Sequence, residues 1–482
     1  MGTKKFSTKF CVLLPLVLLI TIFLLAVPTS FFGIEGLTVL QQRTIALFVF
    51  AALMWIFEII PSWTTSVMVI VLALLMLSNK GLGFLMVDAS GAKLEGIMNY
   101  TKIMSAFADP VVMLFLGGFT LAIMAQKYGL DVTLARVLLK PFGTNPKMVL
   151  LGFLVVIAVF SMFMSNTATA AMMLAFLTPV LRSLPADGKG RIALALAIPV
   201  GANLGGMITP IGTPPNMIAL DYLASQGMGI SFVDWTIKMA PFVIVLLVLA
   251  WLLLRVLFPF KQKNIKIEID GEIRWDYKTW SVVIAFIVTI FMWMFGTDMW
   301  GVDTNVVAMI PIAIFCATGI LTRRDLEEIN WSVLWMVAGG FALGVALNYK
   351  GEGSASLSSL IVQSVPFDNF SPLVVMILAG LICFGFSNFI SHSAATSLLV
   401  PVLGVVASGL GTALDGVGGP QAMLVGIAIA SSVSMILPIS TPPNAIAHST
   451  GFIEQKDMMK VGIIIGLLGL VLGYSMLIFI GF

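Results

Sequence analysis

Apolar runs long enough to cross a bilayer recur along almost the whole chain, with short polar connectors between them. A helix needs about 20 mostly apolar residues to span the hydrocarbon core, so each run predicts one membrane helix. The runs are 10–30, 44–60, 64–78, 110–126, 192–223, 239–258, 280–296, 302–321, 331–348, 421–448 and 461–481. The pattern predicts an all-α polytopic membrane protein with about eleven transmembrane helices.

Two further apolar segments, 147–184 and 371–410, are too long for one simple span and carry polar residues in the middle. The polar tips are Ser165-Asn166-Thr167 in the first segment and Ser387-Asn388-Phe389 in the second. Irregular backbone at membrane depth survives only where protein or a wet cavity surrounds it. Each segment is therefore predicted to be a re-entrant helical hairpin.

Several motifs occur twice. Those 222 residues apart are Gly117-Gly118-Phe119 with Gly339-Gly340-Phe341, Ser165-Asn166 with Ser387-Asn388, and Pro179 with Pro401; Thr213-Pro214-Pro215-Asn216 and Thr441-Pro442-Pro443-Asn444 are 228 apart. Two copies of one membrane unit are typical of secondary transporters, in which helix breaks from both copies hold a solute near the bilayer midplane.

Composition excludes a soluble domain, since 59% of the residues are hydrophobic and 10% charged. Placing the N-terminus in the cytoplasm puts all but six of the 26 Lys and Arg on cytoplasmic stretches. The six are Arg43, Lys80, Lys93, Lys102, Lys238 and Lys350. This imbalance predicts a cytoplasmic N-terminus and an extracytoplasmic C-terminus, in the membrane of a prokaryotic cell. The net charge of +3 then reflects topology, and no nucleic-acid partner is expected.

The same charge pattern opens the first hairpin to the cytoplasm and the second to the outside, which predicts inverted repeats. The stretch 261–278, rich in charges of both signs, is the expected cytoplasmic connector between the halves.

The groups that could bind a solute or a cation lie at four predicted helix breaks. Ser, Asn and Thr favour helix N-caps, where free N–H groups and a positive dipole end suit a carboxylate. A helix that ends at the same tip leaves carbonyls that suit a small cation. The prolines in 205–215 and 436–443 prevent a continuous helix, so backbone opens there as well.

Each of these motifs also has a purely structural interpretation. A Ser-Asn-Thr cluster is also typical of contacts between helices, and a Pro-Pro pair of a simple kink. Both motifs occur twice with the same neighbours, which favours a solute site. Glu58 has no repeat counterpart and is interpreted as a structural carboxylate. A channel would need a charged ring or filter repeat, and an intramembrane enzyme a metal cluster or activated nucleophile; the sequence shows neither.

At these motifs the chain resembles the divalent-anion/sodium symporter family, whose members carry di- and tricarboxylates. The resemblance implies a homodimer and an elevator mechanism, with scaffold helices in 1–146 and 263–352 and transport domains in 147–262 and 353–482. It implies no cofactor other than sodium. The residues that it places at the substrate are Ser165, Asn166, Thr167, Ser387, Asn388, Thr213, Pro214, Thr441 and Pro442; those at a sodium site in the first half are Ser161, Ser165, Asn166, Gly205 and Gly206.

The second hairpin departs from the family pattern, because Phe389 stands where Thr is expected and His392 follows shortly after. We interpret His392 as a cationic substrate ligand, with a neutral imidazole bonded to a backbone carbonyl as the alternative. A fixed imidazolium would leave an unpaired charge when the site empties, which favours obligatory exchange. The sequence thus predicts a sodium-independent exchanger of dicarboxylates such as malate, succinate, fumarate or 2-oxoglutarate, with a sodium-coupled symporter as the alternative.

Overall fold

The computed structural model describes residues 8–88, 90–185, 188–265, 274–351, 355–366 and 370–482. These residues form α-helices joined by turns and short 3₁₀ segments, with isolated β-bridges at Ser78–Met98 and Val87–Lys93 and no strand. Seven helical segments in the described residues are long and apolar enough to cross a membrane. The all-helical membrane fold expected from the hydrophobic pattern is confirmed.

Helices occur at every predicted span and in both predicted hairpins. They are α1 Thr8–Ala26, α2 Val39–Phe57, α3 Ser62–Leu77, α4 Tyr100–Met104, α5 Pro110–Lys127, α6 Leu130–Leu139, α7 Pro146–Ser161, α8 Asn166–Ser183, α9 Lys189–Gly205, α10 Pro214–Ser225, α11 Phe232–Leu257, α12 Tyr277–Trp300, α13 Thr304–Ala317, α14 Arg323–Glu327, α15 Trp331–Asn348, α16 Leu357–Ser364, α17 Pro372–Ser387, α18 His392–Leu410, α19 Gly419–Ser432, α20 Pro442–Ser449 and α21 Gln455–Phe479. The short helices α4, α6, α14 and α16 were not predicted. The middle of the predicted connector, 266–273, lies outside the described residues.

The repeated Gly-Gly pairs allow close helix contacts in both halves. A Cβ at Gly117 of α5 would collide with the Ala308 backbone on α13, and a Cβ at Gly339 of α15 would collide with Ser66 on α3. Small residues at such crossings allow the backbones to approach closely, which is the main source of helix packing in a bilayer.

The two hairpins and the two broken helices pack against one another across the two halves. Helix α7 packs on α9 and helix α17 on α19, within their own halves. Helix α10 from the first half packs on α18 and α19 of the second, whereas α20 from the second half packs on α8 and α9 of the first. Because each of these helices packs against the other half, the helix breaks of both halves lie close together.

Glu58 lies away from this centre, at the C-terminal cap of α2. Its φ of 44° is the only positive value among the described non-glycine residues. The residue is exposed, and its backbone N–H donates to the Trp55 carbonyl at 3.3 Å. Its backbone therefore ends the helix, and the role proposed for its carboxylate remains a prediction.

Candidate functional site

The two hairpin tips have the same local structure. In the first, α7 ends at Ser161 and Ser165 caps α8, its Oγ accepting a hydrogen bond from the Ala168 N–H at 3.2 Å. In the second, α17 ends at Ser387 and Ser391 caps α18, its Oγ accepting from the Ala394 N–H at 3.3 Å. Each tip therefore presents a serine-capped helix N-terminus.

The tips correspond at a separation of 226 residues. Met164 N–H donates to the Phe160 carbonyl at 2.9 Å, and Ile390 N–H donates to the Phe386 carbonyl at 3.0 Å. The predicted pairing of Ser387-Asn388 with Ser165-Asn166 is therefore wrong by four residues. The structural equivalent of Ser165-Asn166-Thr167 is Ser391-His392-Ser393, whereas Ser387 and Asn388 belong to the last turn of the incoming helix.

The broken helices are held open by one asparagine each. Asn216 Nδ2 donates to the carbonyls of Thr209 at 2.8 Å and Gly206 at 3.1 Å. Asn444 Nδ2 donates to the carbonyls of Met435 and Leu437, both at 3.0 Å. These asparagines close the Thr-Pro-Pro-Asn motifs and supply donors for carbonyls that the interrupted helices leave unpaired.

Replacement of Asn216 or Asn444 by Ala is expected to destabilise the protein by about 1–3 kcal/mol, because the buried carbonyl of Gly206 or of Met435 loses its donor. Both asparagines are 1% exposed. Thermal unfolding in detergent measures the effect, and Gln363→Ala on the exposed side of α16 is a matched control. Unfolding temperatures equal to that of the control would contradict this role.

A cavity of about 150 Å³ lies where four helices begin. Helices α8, α10, α18 and α20 all start at its wall. The residues of the predicted site that line it are Ser165, Asn166, Thr167, Thr213, Pro214, His392, Thr441 and Pro442. The structure thus brings together the tips of both hairpins and the starts of both Thr-Pro-Pro-Asn motifs.

Ser387 and Asn388 do not line this cavity. Ser387 Oγ donates to Ser431 Oγ at 3.3 Å, and the residue is fully buried. Asn388 Nδ2 donates to the Phe384 carbonyl at 2.7 Å, and its Oδ1 accepts from the Ile436 N–H at 2.9 Å. Both polar groups of the Asn388 amide are thus used, Nδ2 within α17 and Oδ1 to join the second tip to the opened backbone before α20.

The electrostatics of the cavity come mainly from its helix ends. No Lys, Arg, Asp or Glu is among the described residues that line it. Four helix N-termini direct partial positive charge toward it. Helices α8 and α18 also offer backbone N–H groups, whereas α10 and α20 each begin with two prolines, which have none. The hydroxyls of Thr167, Thr213 and Ser393 make no hydrogen bond to any other described group. Such an arrangement suits a small anion with several oxygen atoms.

His392 lies at the first position of α18, with 7% of its surface exposed. Its Nε2 is 2.5 Å from the carbonyl oxygen of Ser434, so Nε2 carries a proton and donates. A bond from the imidazole to a backbone carbonyl is the contact expected if His392 is a neutral, structural residue. His392 nevertheless also lines the cavity. The second ring nitrogen can donate to an anion only when the imidazole is protonated.

An oxygen cluster surrounds the Asn166 side chain. With the amide oriented to donate, Nδ2 lies 2.7 Å from Ser161 Oγ, 3.1 Å from the Gly212 carbonyl and 3.2 Å from the Ala202 carbonyl. A Cβ at Gly206 would collide with the Asn166 amide, and one at Gly205 with the Ala158 backbone. Ser161, Asn166 and the glycine pair therefore lie together, as predicted for a cation site, while Ser165 caps the adjacent helix.

Asn203 was not predicted. It lines the cavity from α9 and is 1% exposed; its Nδ2 donates to Asn444 Oδ1 at 3.2 Å and Thr441 Oγ1 at 3.3 Å. Its Oδ1 has no partner in the described protein. An amide inside the predicted span 192–223 was the signal that would have identified it.

Comparisons with known proteins agree with this architecture. The chain is 29% identical to an uncharacterized transporter of Haemophilus influenzae, with 88% of each chain covered. It is 28% identical to the sodium-dependent dicarboxylate transporter SdcS of Staphylococcus aureus, covering 97% of this chain and 91% of that protein. An inorganic phosphate transporter of Saccharomyces cerevisiae, PHO87, is 26% identical, and the chain spans about half of that protein's length.

The fold is similar to that of the YdaH transporter of Alcanivorax borkumensis, whose crystal structure has an unusual topology. The TM-score is 0.53 at 13% identity, covering 87% of this chain and 98% of that one. The family model described as citrate transporter matches residues 52–417. The chain therefore belongs to the citrate transporter family, within the divalent-anion/sodium symporter superfamily that its helix-break motifs resemble.

Proposed function

We propose that this membrane transporter exchanges C4–C5 dicarboxylates across a prokaryotic cell membrane and does not require sodium. The observation that carries the proposal is the convergence of four helix N-termini on one cavity without a fixed acidic or basic residue. A volume of about 150 Å³ is below the range of roughly 300–1,000 Å³ typical of drug-sized ligands, which favours a small anion. Asn166 and Thr167 would hold one carboxylate, and His392 and Ser393 the other.

The His392 contact supports independence from sodium. In the second half, the imidazole Nε2–H donates to the Ser434 carbonyl, an opened-backbone oxygen of the kind that otherwise suits a cation. A protonated His392 would supply positive charge that stays in the protein when substrate leaves. Returning the empty site would then move that unpaired charge through the bilayer, which is costly.

Movement of the site is proposed to follow an elevator mechanism in a homodimer. The scaffold would be 1–146 and 263–352, and the moving unit 147–262 and 353–482. The packing of α10 on α18 and of α20 on α8 supports this division, because it joins the hairpin-bearing segments of both halves into one body. The inverted orientation of the halves, with the N-terminus in the cytoplasm, remains part of the proposal.

Exchange predicts that vesicles preloaded with malate or succinate take up labelled substrate at nearly the same rate in sodium and in choline buffer. Empty vesicles should take up little. Reconstituted purified protein provides the measurement, and protein-free liposomes control for leakage. Strong uptake into empty vesicles driven by a sodium gradient would contradict the exchange mechanism and favour sodium-coupled symport.

Sodium-coupled symport is the second candidate, and the oxygen cluster around Asn166 favours it. Ser161 Oγ and the carbonyls of Ala202 and Gly212 converge within hydrogen-bond distance of one amide group. Two carbonyls, a hydroxyl and an amide oxygen form a ligand set that a hard cation accepts. A single sodium site in the first half would give partial sodium stimulation, which the same vesicle experiment measures.

A further inference from the structure

A second cavity, of about 460 Å³, lies along the same helices as the first. Helix α10 contributes Thr213 and Pro214 to the first cavity and Asp221 to the second. Helix α18 likewise contributes His392 to the first and Ser397 to the second. The second cavity therefore adjoins the proposed substrate site but has different chemistry.

Two half-buried carboxyl groups meet in this cavity. Asp109 caps α5, its Oδ1 accepting from the Val111 N–H at 2.8 Å, and its side chain is hydrogen-bonded to that of Asp221 on α10. A hydrogen bond between two carboxyl groups requires one proton, since ionised carboxylates are only acceptors. The carboxyl groups of Asp109 and Asp221, which belong to two separate helical segments, therefore share one proton.

A buried hydroxyl lies at the wall of this cavity. Ser397 lines the cavity, the residue is fully buried, and its Oγ has no hydrogen-bond partner in the described protein. Buried polar groups of this kind are usually satisfied by an ordered water molecule. Water beside Ser397 would give the carboxyl pair a route for gaining and losing a proton.

The other titratable groups that face the cavity are Lys102, Tyr222, Tyr349 and Lys350. The Lys102 ammonium lies 5.1 Å from the centre of the Tyr349 ring, and the Tyr222 side chain is hydrogen-bonded to Asn348. Within the described residues, no ion pair joins either lysine to Asp109 or Asp221. Each of the two carboxyl groups is thus hydrogen-bonded to the other and not paired with a lysine.

We propose that Asp109 and Asp221 form a proton-operated latch that holds the proposed moving unit against the scaffold. This inference rests on the proposed function, because Asp109 lies in the scaffold segment 1–146 and Asp221 in the moving segment 147–262. With one proton, the pair forms a hydrogen bond across the boundary. When that proton passes to cavity water, two adjacent carboxylates repel each other and the units separate. Proton binding therefore stabilises this conformation.

The latch is tested by cross-linking, which does not depend on any substrate. Ser105 and Ser225 are exposed residues lining the same cavity, on the scaffold and moving segments respectively. In a background with Cys11, Cys316 and Cys383 replaced, the cross-linking rate of Ser105→Cys with Ser225→Cys, divided by the thiolate fraction at each pH, should be higher at acid pH. The interval from roughly pH 5 to pH 9 covers release of a proton that two carboxyls share.

Asp221→Asn keeps a hydrogen-bond donor at every pH, so its cross-linking rate, corrected in the same way for the thiolate fraction, should be high and independent of pH. Infrared spectra should show a protonated-carboxyl band in the wild type that both Asp109→Asn and Asp221→Asn remove. The exposed Asp298→Asn is the matched control and should behave as the wild type. Unchanged pH dependence of cross-linking in Asp221→Asn, or a band that survives both substitutions, would overturn the latch.

Exchange measurements separate the latch from the proposed function. At saturating dicarboxylate, wild-type exchange should accelerate as pH rises, while Asp221→Asn should be about tenfold slower at high pH, as expected for a persistent charge-assisted hydrogen bond. Its equilibrium affinity for dicarboxylate should stay unchanged. If no dicarboxylate is exchanged at all, the proposed function fails, and cross-linking with infrared spectra still decides the latch.

Discussion

Asn166→Ala is expected to weaken dicarboxylate binding by about 1–3 kcal/mol, or roughly 5- to 150-fold in Kd, whereas Asn388→Ala should leave Kd nearly unchanged. Asn166 lines the cavity at the first position of α8, where its amide binds Ser161 Oγ and the Gly212 carbonyl and so fixes the hairpin tip beside the substrate. The Asn388 amide is already used by the Phe384 carbonyl and the Ile436 N–H. Calorimetric titration of both purified variants measures the difference.

The two variants form a matched pair, because each removes one hairpin-tip amide. Asn388→Ala should instead lower the unfolding temperature, since it leaves the Ile436 N–H without its acceptor and the Phe384 carbonyl with the Ser434 hydroxyl as its remaining side-chain donor. A similar loss of affinity in both variants would restore the 222-residue correspondence that the sequence suggests. Normal affinity in Asn166→Ala would remove this residue from the site.

Most of the architecture could be predicted from hydrophobic pattern and repetition. The membrane spans could be predicted because a bilayer requires long apolar helices. The breaks at 205–215 and 436–443 could be predicted because proline cannot continue a helix. The structure places these breaks at 206–213 and 433–441, between α9 and α10 and between α19 and α20. Helix chemistry alone therefore located two walls of the cavity.

The register of the second hairpin could not be predicted from the repeated Ser-Asn pair. Ser387-Asn388 repeats those letters inside the last turn of α17, four residues before the helix that actually starts at the cavity. The distinguishing feature is the cap: Ser391 accepts from the N–H three residues later, as Ser165 does. Phe389, interpreted from sequence as a lost threonine, corresponds to Phe163, which is also phenylalanine.

Two polar residues inside a predicted membrane span were not assigned a role from the sequence. Asn203 and Asp221 both fall within 192–223, where an amide or a carboxylate is costly unless it has a partner. Their partners, Asn444 and Asp109, lie far away in sequence and become visible only when the helices are assembled. Sequence gave a reason to single these residues out but no means of pairing them.

Protonation of His392 is expected to control the affinity for dicarboxylate. Its Nε2–H donates to the Ser434 carbonyl, so only a protonated Nδ1 remains to donate to a substrate carboxylate. Dicarboxylate affinity should therefore be highest at acid pH and fall as pH rises and the ring loses its second proton. His392→Gln keeps a neutral amide donor, so its affinity should be lower at acid pH, by about 1–3 kcal/mol, and independent of pH.

His448 is the matched control, as the other histidine of the chain, lying in the last turn of α20 and outside the cavity lining. His448→Gln should keep the wild-type affinity and its pH dependence. Titration of each protein with succinate from about pH 6 to about pH 8 brackets the ordinary imidazole transition. If His392→Gln retains the wild-type profile, the imidazole serves only to bind the Ser434 carbonyl. The positive charge invoked for obligatory exchange then has no source among the described residues of the cavity.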